Sequence, residues 1–508
     1  MSDTSSNNKR IAKNTLFLYG RMLFSLVVSL FTSRVILSAL GVDDYGIYNV
    51  VGGVVSMFAF LSNTMATACQ RFLNFELGKN DQYRLKLTFQ SANVLMLLFG
   101  VITVIITEIV GLWFIHNKLT IPTARLFAAQ VIFHVAVISL FINIISVPYN
   151  ASIVAHEKMS AFAFIGIYDV VMKLLVAISV KFVCFDKLIT YAVLLFVVSC
   201  SIRIIYTAYC KKYFNECRGQ MFYADKSIIK CMLGFLGWNT IGAFSYVMKE
   251  QGVNILLNMY SGLVANAARG VTNQVTGALY GFISNFQVAM NPQITKNYAS
   301  GQFMELKKLV YSGSKYSYFL FFFLALPVFL DVDYILAIWL KTVPEHTSSF
   351  IRLTIILLLI DSLSSPIITS LLATGNVRNY QIIVGGILML NLPLSYIALR
   401  FGMQPEITIV IAIVLSIISL LARLVLARTM LKFSIEEYFR CIVQRIAIVS
   451  LIAFSLSFFI LKLLPISGFI KLVVTCLISC FVTAILIYYL GLESSEKNSV
   501  VSYLRRYI

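Results

Sequence analysis

Three cations stand where cations are costly. Arg21, Lys249 and Arg269 lie well inside apolar runs long enough to cross a bilayer. A charge at bilayer depth costs about 2.5 to 3.5 kcal/mol even by insertion measurements, so three of them facing lipid would cost on the order of 8 to 10 kcal/mol, as much as a whole domain's stability. They are expected to face inward, as a ladder of positive groups along a vertical path. Arg34 and Arg203 sit nearer predicted helix ends. Inward-facing and snorkelling placements both stand for them, and Arg34 is kept among the candidate substrate ligands. Arg125, Lys315, Arg352 and Arg423 are expected to snorkel to the headgroups.

Acids within the apolar runs are fewer. Asp169 and Lys173 are four apart on one helix face and can neutralise each other, as can adjacent Lys249 and Glu250. Glu250, Asp169 and Asp361 are candidate ion-coupling groups, and Glu108 is weighed with them. His134 is expected to be a hydrogen-bonded packing residue rather than a proton relay.

The element that must position these groups is the stretch Ser261–Asn297. A helix from Ser261 to Pro292, at about 1.5 Å per residue, spans roughly 45 Å, more than an apolar bilayer core. At the helical stride, Asn266, Arg269, Asn273, Gly277, Tyr280, Ser284, Gln287 and Asn291 fall on one face. Such a stripe looks at water, protein or a polar substrate, never at lipid. Amides that hydrogen-bond neighbouring helices would explain it. A hydrated cavity explains it better, because the polar positions run the whole length. Asn266, Asn273, Tyr280 and Gln287 are then candidate ligands for a polar substrate.

The bulk numbers agree. Of 508 residues, 59% are hydrophobic and 12% charged, with mean hydropathy +0.85. Soluble domains carry about 25% charged residues, so the chain is read as an all-α polytopic membrane protein. The formal charge of +19 would point a soluble protein towards nucleic acid. Here topology absorbs most of it, and no nucleic-acid partner is expected. The nine cysteines show neither metal-ligand spacing nor a disulfide framework. No metal and no cofactor are expected, though coupling to H+ or Na+ is left open.

Apolar runs of spanning length fall at 14–38, 45–68, 87–112, 124–147, 160–183, 188–209, 229–258, 263–290, 312–335, 349–372, 379–399, 406–427, 444–464 and 468–490. That makes about fourteen transmembrane helices. Basic residues gather on one set of connections, such as Lys9, Arg10 and Lys13, Arg71 to Lys86, Lys211 to Lys230, Lys296 to Lys308 and Arg428 to Arg445. The opposite set holds only Lys118, Lys181, Lys187, Lys341, Arg400, Lys462 and Lys471. Both termini are therefore expected in the cytoplasm, as an even helix count requires. The first helix is read as uncleaved.

The chain also repeats itself. A shift of 221 residues lays Leu40-Gly41 on Ser261-Gly262 and the second span on the eighth. A shift of 218 lays Pro148 on Pro366 and Ala155 on Ala373. Two six-helix lobes are expected at 1–215 and 216–435, with two further helices and a tail at 436–508. Duplicated halves are common in transporters.

Several short motifs carry a family likeness. They are Asn266-Ala-Ala-Arg-Gly with Gln274, Asn291-Pro-Gln-Ile with Lys296, and Leu40-Gly41 followed by Asp44-Tyr-Gly-Ile-Tyr48. Gln251-Gly252, Asn254-Ile-Leu-Leu-Asn258 and the segment Pro148–Lys158 belong with them. Together they resemble the bacterial polysaccharide or O-antigen flippases (Wzx type) of the multidrug/oligosaccharidyl-lipid/polysaccharide exporter superfamily. The resemblance runs over essentially the whole chain. It implies two six-helix lobes around a cationic cavity. It also implies alternating-access flipping of a polyprenyl-diphosphate-linked oligosaccharide across the bacterial inner membrane. Relatives that flip the peptidoglycan precursor carry essential cavity arginines on the first and eighth helices, and Arg21 and Arg269 occupy comparable helices. The implied partners are the lipid-linked oligosaccharide, membrane lipids, and a polysaccharide polymerase with export machinery; a monomer is expected.

Physically, a bare diphosphate cannot cross hydrocarbon. A multidrug antiporter of the same superfamily is the first alternative, but one that takes organic cations calls for an acidic cavity. A membrane polymerase or glycosyltransferase would need a long outer loop or a carboxylate-rich face. Neither is present, and no catalytic constellation is seen.

Overall fold

In lipid every backbone N–H must be satisfied within its own segment, so unbroken apolar runs become helices. The computed structural model describes residues 2–56, 59–117, 123–218, 223, 225–340, 343–464, 468–493 and 496–497, and these are all-helical apart from short connections. Lys118 and Lys341, two of the sparse cations used for topology, lie outside them.

The helices, in order, are α1 (Ser2–Ser56), α2 (Ala59–Lys79), α3 (Gln82–Asn117), α4 (Leu126–Ala155), α5 (Met159–Ser179), α6 (Lys187–Tyr213) and α7 (Lys226–Val247). There follow α8 (Val253–Ala299), α9 (Phe303–Leu330), α10 (Val332–Trp339), α11 (Thr347–Ala373), α12 (Arg378–Met389) and α13 (Asn391–Arg400). The last are α14 (Ile407–Leu431), α15 (Ile435–Tyr438), α16 (Gln444–Leu463) and α17 (Gly468–Leu486). Twelve helical segments among the described residues are long and apolar enough to cross a membrane. The eighth expected span is also helical but too polar to be counted with them, and the second, 45–68, runs through residues 57 and 58, outside those described. They are the two whose polar positions set them apart in the sequence.

The repeat is written into the backbone. Helix α1 bends at Gly41 (φ 81°) and α8 bends at Gly262 (φ 74°), the two glycines that the 221-residue shift superimposes. Both take a left-handed conformation that a Cβ would strain. The same shift pairs the left-handed Asn80 and Gly301, which close α2 and α8. Pro148 and Pro366 lie inside α4 and α11. The expected span 379–399 is divided at Leu390 into α12 and α13. Pro393 explains the break, since it has no N–H to give the carbonyl one turn back.

The chain divides into two compact units, one of residues 1–240 with 295–301, the other of 241–294 with 302–508. In the first, α1 packs on α5, and α4 on α2, α3 and α6. Val35, Ile36, Ala39, Val176, Val180 and Val198 form one of its cores. In the second, α11 packs on α9 and α14, and α16 and α17 close over α9. The last two spans thus belong to the second compact unit. A buried core there joins Ile283, Phe321, Leu336 and Ile355.

Candidate functional site

Each unit holds a polar cluster inside its apolar helices. In the first unit, Arg21 of α1 lies over the ring of Phe162 on α5, its guanidinium carbon 4.5 Å from the centroid. Gly166 makes this placement possible, because a Cβ there would stand 2.6 Å from Arg21 Cδ. Tyr206 of α6 and Asp169 of α5 lie within electrostatic reach of Arg21. The Tyr206 hydroxyl accepts from Asn150 Nδ2 at 3.0 Å. Asp169 in turn accepts from Lys173 Nζ at 2.8 Å, as their spacing predicts. Arg203 stacks on Tyr149, 4.2 Å from its ring centroid, and its Nη1 is buried without a hydrogen bond. It is therefore not snorkelling free of the protein. Arg34 has an exposed side chain.

The second unit's cluster is built on a π-helical turn, Met248–Gly252. Such a turn inserts an extra residue into the helix and often marks a functional position. Here it gives adjacent Lys249 and Glu250 different partners. Lys249 Nζ is 3.9 Å from Asp361 Oδ2 on α11. Glu250 Oε2 accepts from Arg269 Nη2 on α8 at 3.2 Å. Ser416 of α14 donates to the other Asp361 oxygen. Tyr246 and Tyr280 lie within electrostatic reach of both Asp361 and each other. One turn along α11 from Asp361, Ser364 accepts from Arg423 Nη1 at 3.0 Å.

This corrects the expectation of free cations. Lys249 and Arg269 are buried, yet each faces a carboxylate, so these four residues sum to neutral rather than to a positive ladder. The neutralisation of Lys249 by its neighbour Glu250 is also not what forms: Glu250 goes to Arg269 and Asp361 to Lys249. The snorkelling cations need correction too. Arg423 is 5% exposed and part of the cluster's wall. Lys315 is buried in α9 and paired with Glu496 Oε2 at 2.6 Å, where Tyr316 also donates to Oε1 at 2.7 Å. Arg125 bridges Asp44, at 2.7 Å, and Asp186, the N-cap of α6. Arg125, 39% exposed, and Arg352, 35% exposed and paired with Asp333 at 2.7 Å, keep to the expected surface position.

The stripe on α8 is mixed as well. Asn273 is exposed, and Asn266 Oδ1 is buried without a hydrogen bond. Gln287 Nε2 donates to Ser317 at 3.3 Å, and Asn291 Oδ1 accepts from Thr369 at 3.0 Å. The lower half of the stripe therefore packs against α9 and α11 rather than lining water. Outside both clusters, Glu108 meets His134 Nδ1 at 3.0 Å.

No match was found among curated protein sequences. Several solved structures are similar throughout. One is an outward-facing multidrug-resistance MATE transporter of the MOP superfamily, with TM-score 0.67, 12% identity, and 83% of this chain and 96% of that one covered. A MATE transporter in a bent conformation gives TM-score 0.72 at 12% identity over 84% and 96%. A MOP-superfamily transporter from Pyrococcus furiosus gives 0.69 at 13% over 84% and 97%, and its binding pocket was described as reversed in polarity, suggesting a different function. Residues 240–397, which hold the Lys249–Asp361 and Glu250–Arg269 pairs, match the MatE family model, and the chain has the fold of the MATE transporters of the MOP superfamily.

Proposed function

We propose that the protein is an exporter that flips a polyprenyl-diphosphate-linked oligosaccharide, an O-antigen or capsular repeat unit, across the bacterial inner membrane by alternating access. The observation that carries this reading is Arg21. It sits in a spanning helix against an aromatic face, and among the described residues it has no carboxylate within ion-pair distance. Its guanidinium edge is left for an incoming anion, and a diphosphate brings about two negative charges with oxygens that match a guanidinium fork. Arg203 adds positive charge in the same unit, where Lys173 and Asp169 neutralise each other at 2.8 Å.

The second unit's pairs serve the cycle differently in this reading. Two acids and two bases held in one network are a switch: binding H+ or Na+ at Asp361 or Glu250 would release its basic partner. A multidrug exporter is the second reading, favoured by the carboxylates Glu250 and Asp361 and by the likeness to multidrug MATE structures.

Arg21→Ala tests the choice. Cells carrying it should accumulate lipid-linked oligosaccharide at least tenfold over wild type while dye efflux stays at background. Normal oligosaccharide export in the variant removes the proposal. Dye efflux that depends on Asp361 but not on Arg21 establishes the second reading instead.

A further inference from the structure

Two of the motifs with a family likeness, the segment ending at Lys158 and the Asn-Pro-Gln-Ile-Thr-Lys run ending at Lys296, meet at a place that plays no part in either cluster. Glu157 closes α4. Its N–H donates to Val154 O at 2.9 Å, and the next N–H, from Lys158, reaches Ile153 O at 3.0 Å. This helix ending needs a left-handed residue, and glycine is the usual choice. Glu157 takes it with φ 58°. At the matching turn of the second half, 218 residues on, Gly375 takes it with φ 78°, and its N–H donates to Leu372 O at 3.1 Å. The two turns share the left-handed residue and the bond its N–H gives three residues back, so the first half keeps a strained side chain where the second keeps none. Strain held in this way points to a use for the side chain.

The use is visible. Glu157's carboxylate is 2% exposed and accepts from two cations on distant segments: Arg10 Nε at 2.8 Å and Lys296 Nζ at 2.6 Å. Lys296 lies at the end of α8. The body of that helix belongs to the second unit, while residues 295–301 pack with the first. The rest of the seat is close-fitting. Gly78 of α2 abuts this last turn, where a Cβ would stand 2.7 Å from both Lys296 O and Ala299 Cβ. Tyr298 meets Phe75 at 6.4 Å between ring centroids.

We propose that Glu157 is the catch of a conformational latch. By holding Arg10 and Lys296 on one buried carboxylate it fastens the last turn of α8 to the first unit, and letting go frees that turn during the transport cycle. The latch rests on the chain being a transporter, not on what it carries.

Hydrogen–deuterium exchange of the full chain in lipid nanodiscs tests it. Glu157→Gly removes the carboxylate, and relief of the backbone offsets part of the cost of stranding Lys296, so Tm should change little. Exchange in 295–301 and in the turns just after Arg10 should nonetheless rise at least tenfold. Gly78→Ala, which wedges the seat and leaves the carboxylate in place, should raise exchange in 295–301 similarly. Unchanged exchange in Glu157→Gly, or a rise spread over the whole first unit together with a fall in Tm, overturns the latch: the carboxylate then holds nothing, or only braces the fold. Neither outcome touches the question of substrate, which Arg21→Ala decides separately.

Discussion

Replacing Glu250 by Gln should destabilise the second unit through its partner rather than through itself. Arg269 has a side chain 9% exposed, and Glu250, 27% exposed, stands 3.2 Å from it. At that separation and an effective dielectric constant near 20, the attraction is at most about 5 kcal/mol. Water at the partly exposed carboxylate lowers this, and removing one member of a buried pair typically costs about 3 to 5 kcal/mol because the other charge is stranded. We expect Glu250→Gln to cost about 3 kcal/mol, close to the lower bound. Arg269→Gln should cost a similar amount. The double variant should cost about 2 kcal/mol less than the sum, since neither residue is then left charged without its partner. At roughly 2 °C per kcal/mol for a unit of this size, the single variants should melt about 6 °C lower. Thermal unfolding of the four proteins in one detergent reads the cycle directly. Strict additivity would refute the reasoning, because it would mean that the two charges do not sense each other and that Arg269 is satisfied elsewhere.

Two further outcomes follow from the geometry. Gly166→Ala should displace Arg21, because its Cβ would fall 2.6 Å from Arg21 Cδ; export should fall as far as in Arg21→Ala, with the fold intact by circular dichroism, whereas full activity would show that Arg21's position does not matter. Asp225, before α7, accepts from the Ser227 hydroxyl at 2.6 Å and from the N–H groups of Ser227 and Ile228, and these bonds, the hydroxyl first, hold its carboxyl below the usual range. A carboxyl lowered by folding contributes stability above its unfolded value of about 3.9 and loses it as the pH falls through the folded value. Amide exchange at the first turn of α7 should therefore stay slow from neutral pH to about 4 and quicken only below that. Quickening near pH 6 would show that another group controls the helix start.

Much of the fold is legible in the residues. Apolar runs locate the spans, because a backbone in lipid has few options. Gly41 and Gly262 betray the duplication before any coordinate is known, whereas the run 379–399 reads as one span although it is broken at Leu390. The site is less legible, for a physical reason. A cation in an apolar run says that it must be compensated, not by whom. Asp361 reaches Lys249 from 112 positions away in the chain, and the π-helical turn that separates Lys249 from Glu250 has no signature in composition. Lys315 finds its acid 181 residues later. The local pair Asp169–Lys173, four residues apart, is the kind of partnership that spacing alone reveals.

Lys315 also bears on how the protein can be handled. Its ammonium is 4% exposed and its neutralising carboxylate comes from beyond the last helix, where Glu496 is itself held by the Glu493 N–H at 2.7 Å. Glu496 is therefore part of the interior of the second unit. A shortened version ending at Leu492 would leave a charge stranded inside α9 and should express poorly.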